Sequence, residues 1–157
     1  MRNLLVLIIL LFISINLSTS TTLNAQISFS VNSNLDIQPA WGPTGYDHVE
    51  YYYLPDTEVY YSVPQHLYYY QNRGRWTSSV NLPYRYRSYD FYNSYKVVVN
   101  EKNPWKKHKS YKEKYSSYKD HHDQQTIRDS RDSKYFANKN HPQHKNWVKQ
   151  QKHLKKK

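Results

Sequence analysis

Histidine is the residue type in this chain best suited to metal coordination, and six of the eight histidines follow residue 100. The closest groups are Asp120-His121-His122-Asp123 and the pair His141 and His144. Neighbouring residues point in different directions along a helix, and a metal site requires three or four converging donors on a rigid frame. In a lysine-rich segment these histidines are best interpreted as solvated polar residues that become cationic in mild acid. We therefore expect neither a metal nor another cofactor.

Carboxylates that could support hydrolysis are scattered singly through the first two thirds of the chain. They are Asp47, Glu50, Asp56, Glu58 and Asp90. The sequence has no nucleophile elbow, zinc-protease helix, phosphate loop or dinucleotide fingerprint, and it has only three glycines. These patterns predict a non-enzymatic protein without catalytic residues. A hydrolase that pairs two of the carboxylates is the alternative, although a small sheet offers little cleft to hold them.

Aromatic side chains suggest a second kind of chemistry. Sugar rings stack on flat exposed aromatic rings, so Trp41 and Trp76 are the candidate residues of a glycan-binding module. Burial in the core is the competing interpretation for both, and for Trp76 on a strand it is the favoured one.

Arginine and tyrosine alternate just after the central part of the chain. Arg85 and Arg87 are interleaved with Tyr84, Tyr86 and Tyr89. This arrangement can hold single-stranded nucleic acid by stacking and charge. Arginine stacked on tyrosine within the protein itself explains the pattern equally well.

Positive charge is concentrated at the C-terminal end. Residues 26–100 contain five basic and six acidic residues, whereas residues 101–157 contain 17 basic and six acidic residues. Such a region attracts phosphate and carboxylate polymers with an affinity that falls as salt rises. We therefore expect it to bind lipopolysaccharide, anionic lipid or nucleic acid. The candidate contact residues are Lys106, Lys107, Lys109, Lys112, Lys152, Lys155, Lys156 and Lys157.

The main element expected to position these residues is a tyrosine-rich sheet. Aromatic and β-branched runs at residues 49–54, 58–63, 66–70 and 75–81 alternate with proline, glycine and asparagine breaks. This spacing predicts a mainly β fold, a small antiparallel meander within residues 46–103, with a last strand at residues 95–100. Because side chains alternate along a strand, the tyrosine triplets at residues 51–53 and 68–70 must supply both faces of the sheet.

The segments that flank the meander have simpler patterns. Residues 26–45 combine an alternating strand at residues 27–31 with a stiff link rich in proline and glycine. Asn103-Pro104 predicts a capped helix start, and aromatic residues at three- and four-residue steps predict a basic amphipathic helix over residues 104–119. We expect its aromatic stripe to pack on the sheet, with an anionic surface as the alternative. Residues 120–157 are poor in apolar side chains, which predicts a disordered basic tail.

The N-terminus predicts export. Arg2 precedes an apolar run, and small polar residues then lead to Ala25, which is the order of a cleaved signal peptide over residues 1–25, with cleavage after Ser20 as the alternative. An uncleaved anchor would need about 20 apolar residues, and Ser14 and Asn16 interrupt this run. The absence of cysteine excludes disulfides, thiolate metal sites and a lipidated cysteine. The expected location is the periplasm or cell envelope, with extracellular release as the alternative.

Several short motifs between residues 39 and 105 carry a resemblance to known sequences. They include Trp41-Gly42-Pro43, Val49-Glu50-Tyr51-Tyr52-Tyr53-Leu54-Pro55-Asp56, Gly74-Arg75-Trp76 and Tyr95-Lys96-Val97-Val98-Val99-Asn100-Glu101. In these motifs the chain resembles a family of exported, tyrosine-rich proteins of unknown function from Bacteroidetes-type bacteria. The resemblance implies an envelope location and assigns neither an activity nor a catalytic residue. Our leading hypothesis is thus a non-enzymatic envelope protein with a β module and a polyanion-binding tail, and the alternative is a glycan-binding module.

Overall fold

Five short strands form one antiparallel sheet in the computed structural model, which describes residues 33–155. The strands are β1 (Tyr51–Leu54), β2 (Val59–Ser62), β3 (Leu67–Asn72), β4 (Arg75–Ser79) and β5 (Val97–Val99). Their order across the sheet is β4-β3-β2-β1-β5, so the first four strands form a meander and β5 pairs with the outer side of β1. The predicted antiparallel sheet is confirmed.

The hairpin turns contain residues with positive φ angles, of which one is a glycine and three are not. Arg73 and Gly74 join β3 to β4 with φ angles of 49° and 76°, and Asn72 pairs with Arg75 across this turn. Two consecutive positive φ angles give a two-residue turn whose twist matches that of the strands. The turns before β2 and β3 each contain one residue with positive φ, which are Glu58 and His66. Local turn chemistry therefore sets the register of the meander.

Both faces of the sheet are aromatic, because paired strands align their tyrosines. Tyr52 pairs with Tyr61, and Tyr53 pairs with Tyr60, so each pair shares one face. On the first face, which we call the loop face, the buried strand residues are Tyr52, Leu54, Val59 and Tyr61. On the opposite face, which we call the helix face, they are Tyr53, Tyr60, Val97 and Val99.

Each face is covered by a different part of the chain. On the loop face, Trp41 and Phe91 pack against the buried residues. On the helix face, the cover includes Trp105, whose ring stacks on that of Tyr69 with a centroid distance of 4.1 Å and an interplanar angle of 11°. Tyr111 lies 6.0 Å from Tyr53, centroid to centroid, on the same face. The expected packing of the aromatic stripe on the sheet is therefore confirmed.

The segment after β5 is helical in three pieces rather than one. A 3-10 turn at Pro104–Lys107 leads into α1 (His108–Lys114), and another 3-10 turn follows at Ser116–Tyr118. The predicted capping role of Asn103 is wrong, because this residue has a φ angle of 52° and its side chain makes no capping hydrogen bond. A capping side chain requires an extended backbone, whereas the left-handed conformation turns the chain sharply between β5 and the helical segment.

Residues 120–155 are folded, which differs from the disordered tail expected from composition. They contain 3-10 turns at Ile127–Asp129 and Ser133–Ala137, followed by α2 (His144–Leu154). Backbone hydrogen bonds join this segment to the N-terminal link: Ile127 N donates to Gly42 O at 2.8 Å, and Arg128 N donates to Ala40 O at 2.9 Å. The few apolar residues converge, since Ile127 is buried with Leu35 and Tyr135 in one cluster.

Asn138 completes the attachment of the C-terminal segment. Its side chain is fully buried, and its Nδ2 donates to Leu35 O at 2.8 Å and to Gln38 O at 2.7 Å. Nearby, the hydroxyl of Tyr135 accepts a hydrogen bond from Gly45 N. Side chains from the C-terminal segment therefore satisfy backbone groups of the N-terminal link, and burial of apolar area is only part of what holds the two together.

Some sequence predictions concern residues outside the described range. These are the signal peptide at residues 1–25, the strand at residues 27–31, and the contacts of Lys156 and Lys157. Residues 33–155 are 29% helical and 20% strand, so the antiparallel sheet is shown while the mainly β class is not. Among residues 33–155, no helix has both the length and the apolar character that a membrane crossing needs.

Candidate polyanion-binding surface

The predicted lysine cluster around α1 divides into paired and unpaired side chains. Lys107 Nζ lies 2.6 Å from Glu101 Oε2, and Lys112 Nζ lies 2.9 Å from Glu58 Oε1. The exposed members that form no ion pair with any other described residue are Lys106 and Lys109. Only half of this predicted cluster is therefore directly available to an external anion.

Glu58 is the centre of a charge network that fixes α1 to the sheet. Besides Lys112, its carboxylate lies 3.1 Å from Lys119 Nζ and 3.6 Å from His108 Nε2. Burial raises the pKa of this carboxyl, but hydrogen bonds from the two lysines outweigh that effect and hold the pKa below its usual value. Burial lowers the pKa of His108, which keeps its imidazole neutral at neutral pH. Lys112 and Lys119 therefore act in holding the fold together.

A row of lysines on α2 forms a second cationic cluster. Lys145, Lys149 and Lys152 are exposed and are spaced by four and three residues, which places them on one side of the helix. The eleven residues of α2 include no aspartate or glutamate. Trp147 is half-buried and lies on the opposite side of the helix, whereas the half-buried Val148 lies at the border of the row. We call Lys145, Lys149 and Lys152 the α2 lysine row, and Lys155 follows directly after it.

The sequence prediction contained Lys152 and Lys155 but missed Lys145 and Lys149. The composition predicted disorder for this segment, and the spacing of lysines indicates a shared side only when the segment is helical. The signal that could have identified them is the absence of glycine and proline after Pro142, together with lysines at four- and three-residue steps at positions 145, 149 and 152. The structure thus extends the predicted surface by two residues that share one helix side with Lys152.

Most cations of the C-terminal third form no ion pair with another described residue. Residues 101–155 contain fifteen lysines and arginines, and five of them are paired with carboxylates: Lys107, Lys112, Lys119, Arg128 and Lys134. The other ten are all exposed: Lys102, Lys106, Lys109, Lys114, Arg131, Lys139, Lys145, Lys149, Lys152 and Lys155. This excess of unpaired positive charge is the main electrostatic feature of the surface.

A polar groove of about 370 Å³ brings one of these cations close to β5. It lies between the edge of β5 and α1, and its lining includes Val98, Glu101, Lys107, Tyr111 and Lys114. An anionic chain in this groove would contact Lys114 and compete with Glu101 for Lys107. The groove therefore extends the cationic surface of α1 to the edge of the sheet.

The two tryptophans proposed for glycan stacking are engaged in internal packing. Trp41 stacks on Phe91 at a centroid distance of 4.9 Å and meets the ring of Tyr61 edge-on at 5.2 Å. Trp76 meets the ring of His108 edge-on at 4.9 Å. Both are half-buried. The structure therefore supports a packing role for these two residues and does not place them together in a sugar-stacking platform.

The scattered carboxylates each have their own partner. Asp47 pairs with Lys134 at 3.1 Å, and Glu58 binds the lysines described above. Asp56 accepts hydrogen bonds from the Tyr89 hydroxyl at 3.3 Å and from Asp120 N at 3.0 Å. Asp90 accepts from Asn93 and from the Tyr92 amide, and Glu50 contacts His48 at 3.0 Å. Each carboxylate thus has a structural function that accounts for its position.

The histidines considered as metal ligands are also used locally. His141 is buried; its Nε2 contacts Ser130 O at 3.1 Å, and its Nδ1 accepts from Gln143 N at 3.0 Å. His144 Nδ1 contacts Phe136 O at 2.9 Å, and His122 Nδ1 contacts Asn93 O at 2.9 Å. Within residues 33–155, no group of three or more possible ligands is placed to hold a metal ion.

Comparisons of the chain with protein-family models, with curated proteins and with solved structures find no match. The assignment of function therefore depends on the residues and geometry described above.

Proposed function

We propose that the protein is an exported, non-enzymatic component of the cell envelope that binds anionic polymers through its C-terminal third. The observation that carries this proposal is the set of ten exposed cations in residues 101–155 that form no ion pair with another described residue. A surface with this charge attracts phosphate and carboxylate groups and speeds the encounter with polymers that carry them. Lipopolysaccharide, anionic lipid surfaces and nucleic acid all present such groups.

The α2 lysine row is the strongest candidate contact. Its members lie on a helix without acidic residues, so no neighbouring carboxylate on α2 offsets their charge. At a rise of roughly 1.5 Å per residue, the row covers roughly 10 Å along the helix axis. A linear polymer with repeated negative charges can meet all three ammonium groups at once. Because the row is on a folded helix, binding does not have to order a flexible segment first.

The proposed location depends on the N-terminal sequence and on the body of the chain. Residues 1–25 have the order of a signal peptide, and residues 39–105 resemble exported proteins of Bacteroidetes-type bacteria. An envelope location supplies abundant polyanions, which fits the cationic surface.

Retention on a heparin column tests the proposal. The full chain is compared with a variant in which Lys145, Lys149 and Lys152 are changed to glutamine, which preserves helix propensity while removing the charge. We expect the variant to elute at clearly lower salt, because fewer cationic contacts mean weaker, less salt-dependent binding. Charge neutralisation is preferable to deletion of residues 120–157, since that segment is bonded to the N-terminal link.

A second triple variant serves as the control. Lys107→Gln, Lys112→Gln and Lys134→Gln remove the same formal charge from side chains that are already paired with carboxylates. We expect a smaller decrease in elution salt for this control. Equal decreases would mean that only net charge matters and would contradict the α2 assignment. Passage of the unmodified chain through the column without retention at low salt would contradict polyanion binding itself.

A further inference from the structure

The turn that contains the alternating arginines and tyrosines presents a flat aromatic ring to solvent. This 3-10 turn, Tyr84–Tyr86, is anchored because the ring of Tyr86 packs against the buried cluster of the loop face. Tyr84 is 77% exposed. The guanidinium carbon of Arg87 lies 4.4 Å from the centroid of the Tyr84 ring. The ring is therefore backed by a positive charge at close range while most of its surface faces solvent.

A second arginine of the turn is held against the neighbouring hairpin. Arg85 Nη2 donates to the backbone oxygen of Gln71 at 3.2 Å, and its guanidinium carbon lies 4.8 Å from the Tyr86 ring centroid. Gln71 is in β3, two residues before the turn that carries Arg73. The hydrogen bond therefore brings the arginine–tyrosine turn next to the β3–β4 hairpin.

Strand register places a third arginine on the same side of the sheet. Arg75 pairs with Asn72, and Thr77 pairs with Tyr70. Residues two apart on a strand share a face, so Arg75 lies on the face of Tyr70, which packs with the loop-face cluster. Arg73 lies at the tip of the hairpin. The turn and the hairpin thus bring Arg73, Arg75, Arg85 and Arg87 to one end of the loop face.

These four arginines are exposed and unneutralised. None of them forms an ion pair with another residue of the described part of the chain, whereas Arg128 pairs with Asp129 at 3.0 Å. This is notable because residues 26–100 contain more acidic than basic residues overall. Glu58, which lines one pocket together with Arg85, is already paired with Lys112 and Lys119. The result is a localised positive patch on an otherwise near-neutral body.

We propose that this surface, which we call the Arg–Tyr patch, binds single-stranded nucleic acid. Guanidinium groups present a planar set of donors that matches phosphate oxygens, and exposed aromatic rings accept stacked bases of any sequence. In this site the arginines contact successive phosphates while a base stacks on Tyr84. The patch is separate from the α2 lysine row, and it extends the proposed function without depending on it.

The exposed ring distinguishes nucleic acid from other polyanions. A sulfated glycan or polyphosphate uses the arginines but has no planar π-system to stack on Tyr84. An exposed aromatic ring next to a guanidinium group adds no affinity for a ligand that is recognised by its charge alone. The stacking contribution is therefore the property that the experiment has to isolate.

Fluorescence anisotropy with a labelled oligothymidylate of about 12 nucleotides measures the binding. The protein is the full chain with Lys145, Lys149 and Lys152 changed to glutamine, so that the α2 lysine row does not mask the patch. Tyr84→Ala is expected to weaken binding roughly tenfold through loss of base stacking. Arg85→Gln with Arg87→Gln is expected to reduce the slope of log affinity against log salt by about 1.4, from about 0.7 per phosphate contact.

Matched controls come from the same protein surface. Tyr46→Ala removes another exposed tyrosine, and Arg131→Gln removes an exposed unpaired arginine outside the patch. Neither is expected to change oligothymidylate binding more than about twofold, against the roughly tenfold stacking effect. Replacing Arg85 and Arg87 by lysine should weaken binding while leaving the salt slope unchanged, because charge remains and planar donors are lost.

Several results would overturn the inference. One is an affinity for oligothymidylate that does not change in Tyr84→Ala. Another is that inorganic polyphosphate displaces oligothymidylate equally well from the parent protein and from Tyr84→Ala. A third is complete loss of oligothymidylate binding on neutralising the α2 lysine row. That third result would leave the proposed function standing and remove only the Arg–Tyr patch.

Discussion

Replacement of Asn138 tests whether the C-terminal segment is an integral part of the fold. Asn138→Ala removes the two hydrogen bonds that the fully buried Nδ2 group donates to the backbone oxygens of Leu35 and Gln38. It also removes the one that Oδ1 accepts from the backbone amide of Asn140, a residue that is exposed and whose amide can bond to water instead. A buried acceptor that loses its donor costs about 1–3 kcal/mol. Because a carbonyl oxygen can accept a hydrogen bond from another donor, we take the lower half of that range for each of the two carbonyl oxygens. The expected loss is therefore about 2–4 kcal/mol of unfolding free energy.

Urea denaturation of the full chain, followed by tryptophan fluorescence and circular dichroism, measures this change. With a slope of about 1–3 kcal/mol per molar for a chain of this size, the midpoint should fall by about 1–2 M. Asn138→Asp supplies a second test, since the carboxylate keeps the shape but cannot donate to either carbonyl. It should cost at least as much as the alanine variant, because a buried charge is added.

The matched control is Asn140→Ala, two residues away. Asn140 has an exposed side chain, and its backbone amide, rather than its side chain, bonds to Asn138 Oδ1 at 2.9 Å. We expect a change within about 0.5 kcal/mol, as is usual for surface substitutions. If the unfolding free energy of Asn138→Ala differs from that of the parent protein by no more than this control's does, these hydrogen bonds do not hold the C-terminal segment to the N-terminal link. That result would refute the reasoning.

Two further predictions concern the sheet and its loops. Burial lowers the pKa of Lys96 to about 8, so between about pH 8 and pH 10 the unfolded chain keeps a proton that the folded chain has lost. Lys96 should therefore add up to about 1.4 kcal/mol of stability per pH unit there, measured by urea titrations as the difference between the parent protein and Lys96→Met. The difference is needed because buried tyrosines with raised pKa, such as Tyr60 and Tyr89, lower the stability of both proteins as the pH approaches 10. In Gly42→Ala, the added Cβ would lie 2.5 Å from the Tyr52 hydroxyl oxygen and 3.1 Å from Pro39 O. This overpacking should cost about 1–3 kcal/mol, and an unchanged thermal midpoint would contradict it.

The meander was predictable because its determinants are local. Arg73-Gly74 supplies the two positive φ angles of the hairpin within two residues of sequence, and the flanking aromatic runs supply the strands. The pairing of β5 with β1 involves residues almost fifty positions apart, yet the Val97–Val99 run could be recognised from its β-branched composition. Local propensity and the fold agree throughout this region.

The C-terminal segment was not predictable from composition because its stability comes from distant polar contacts. Asn138 bonds to backbone oxygens 103 and 100 residues earlier in the chain, at Leu35 and Gln38. A count of apolar residues gives no weight to a buried asparagine, and it treats Ile127 and Tyr135 as isolated when they in fact converge on Leu35. Hydrogen bonds to distant backbone groups therefore stabilise a segment that has few apolar residues to bury.

The lysine cluster was predictable as a region but not residue by residue. Lys107 is paired with Glu101 six residues earlier, within reach of a sequence argument, whereas Lys112 is paired with Glu58 from 54 residues away. Only the folded arrangement separates cations that stabilise α1 from those that face solvent unpaired. The same arrangement identifies Lys145 and Lys149, whose helical spacing had no meaning in a segment expected to be disordered.

Folding of the C-terminal segment also changes how its charge can act. In a disordered tail, each bound polymer contact would have to offset the entropy of ordering the chain that makes it, and the lysines would adapt to any arrangement of anions. On α2, Lys145, Lys149 and Lys152 are held in a row whose spacing is set by the helix. That fixed row gains affinity by avoiding the ordering cost, and it favours polymers whose charges match its spacing. Neutralising three lysines should therefore weaken binding to heparin more than neutralising three paired lysines does, even though the net charge falls equally.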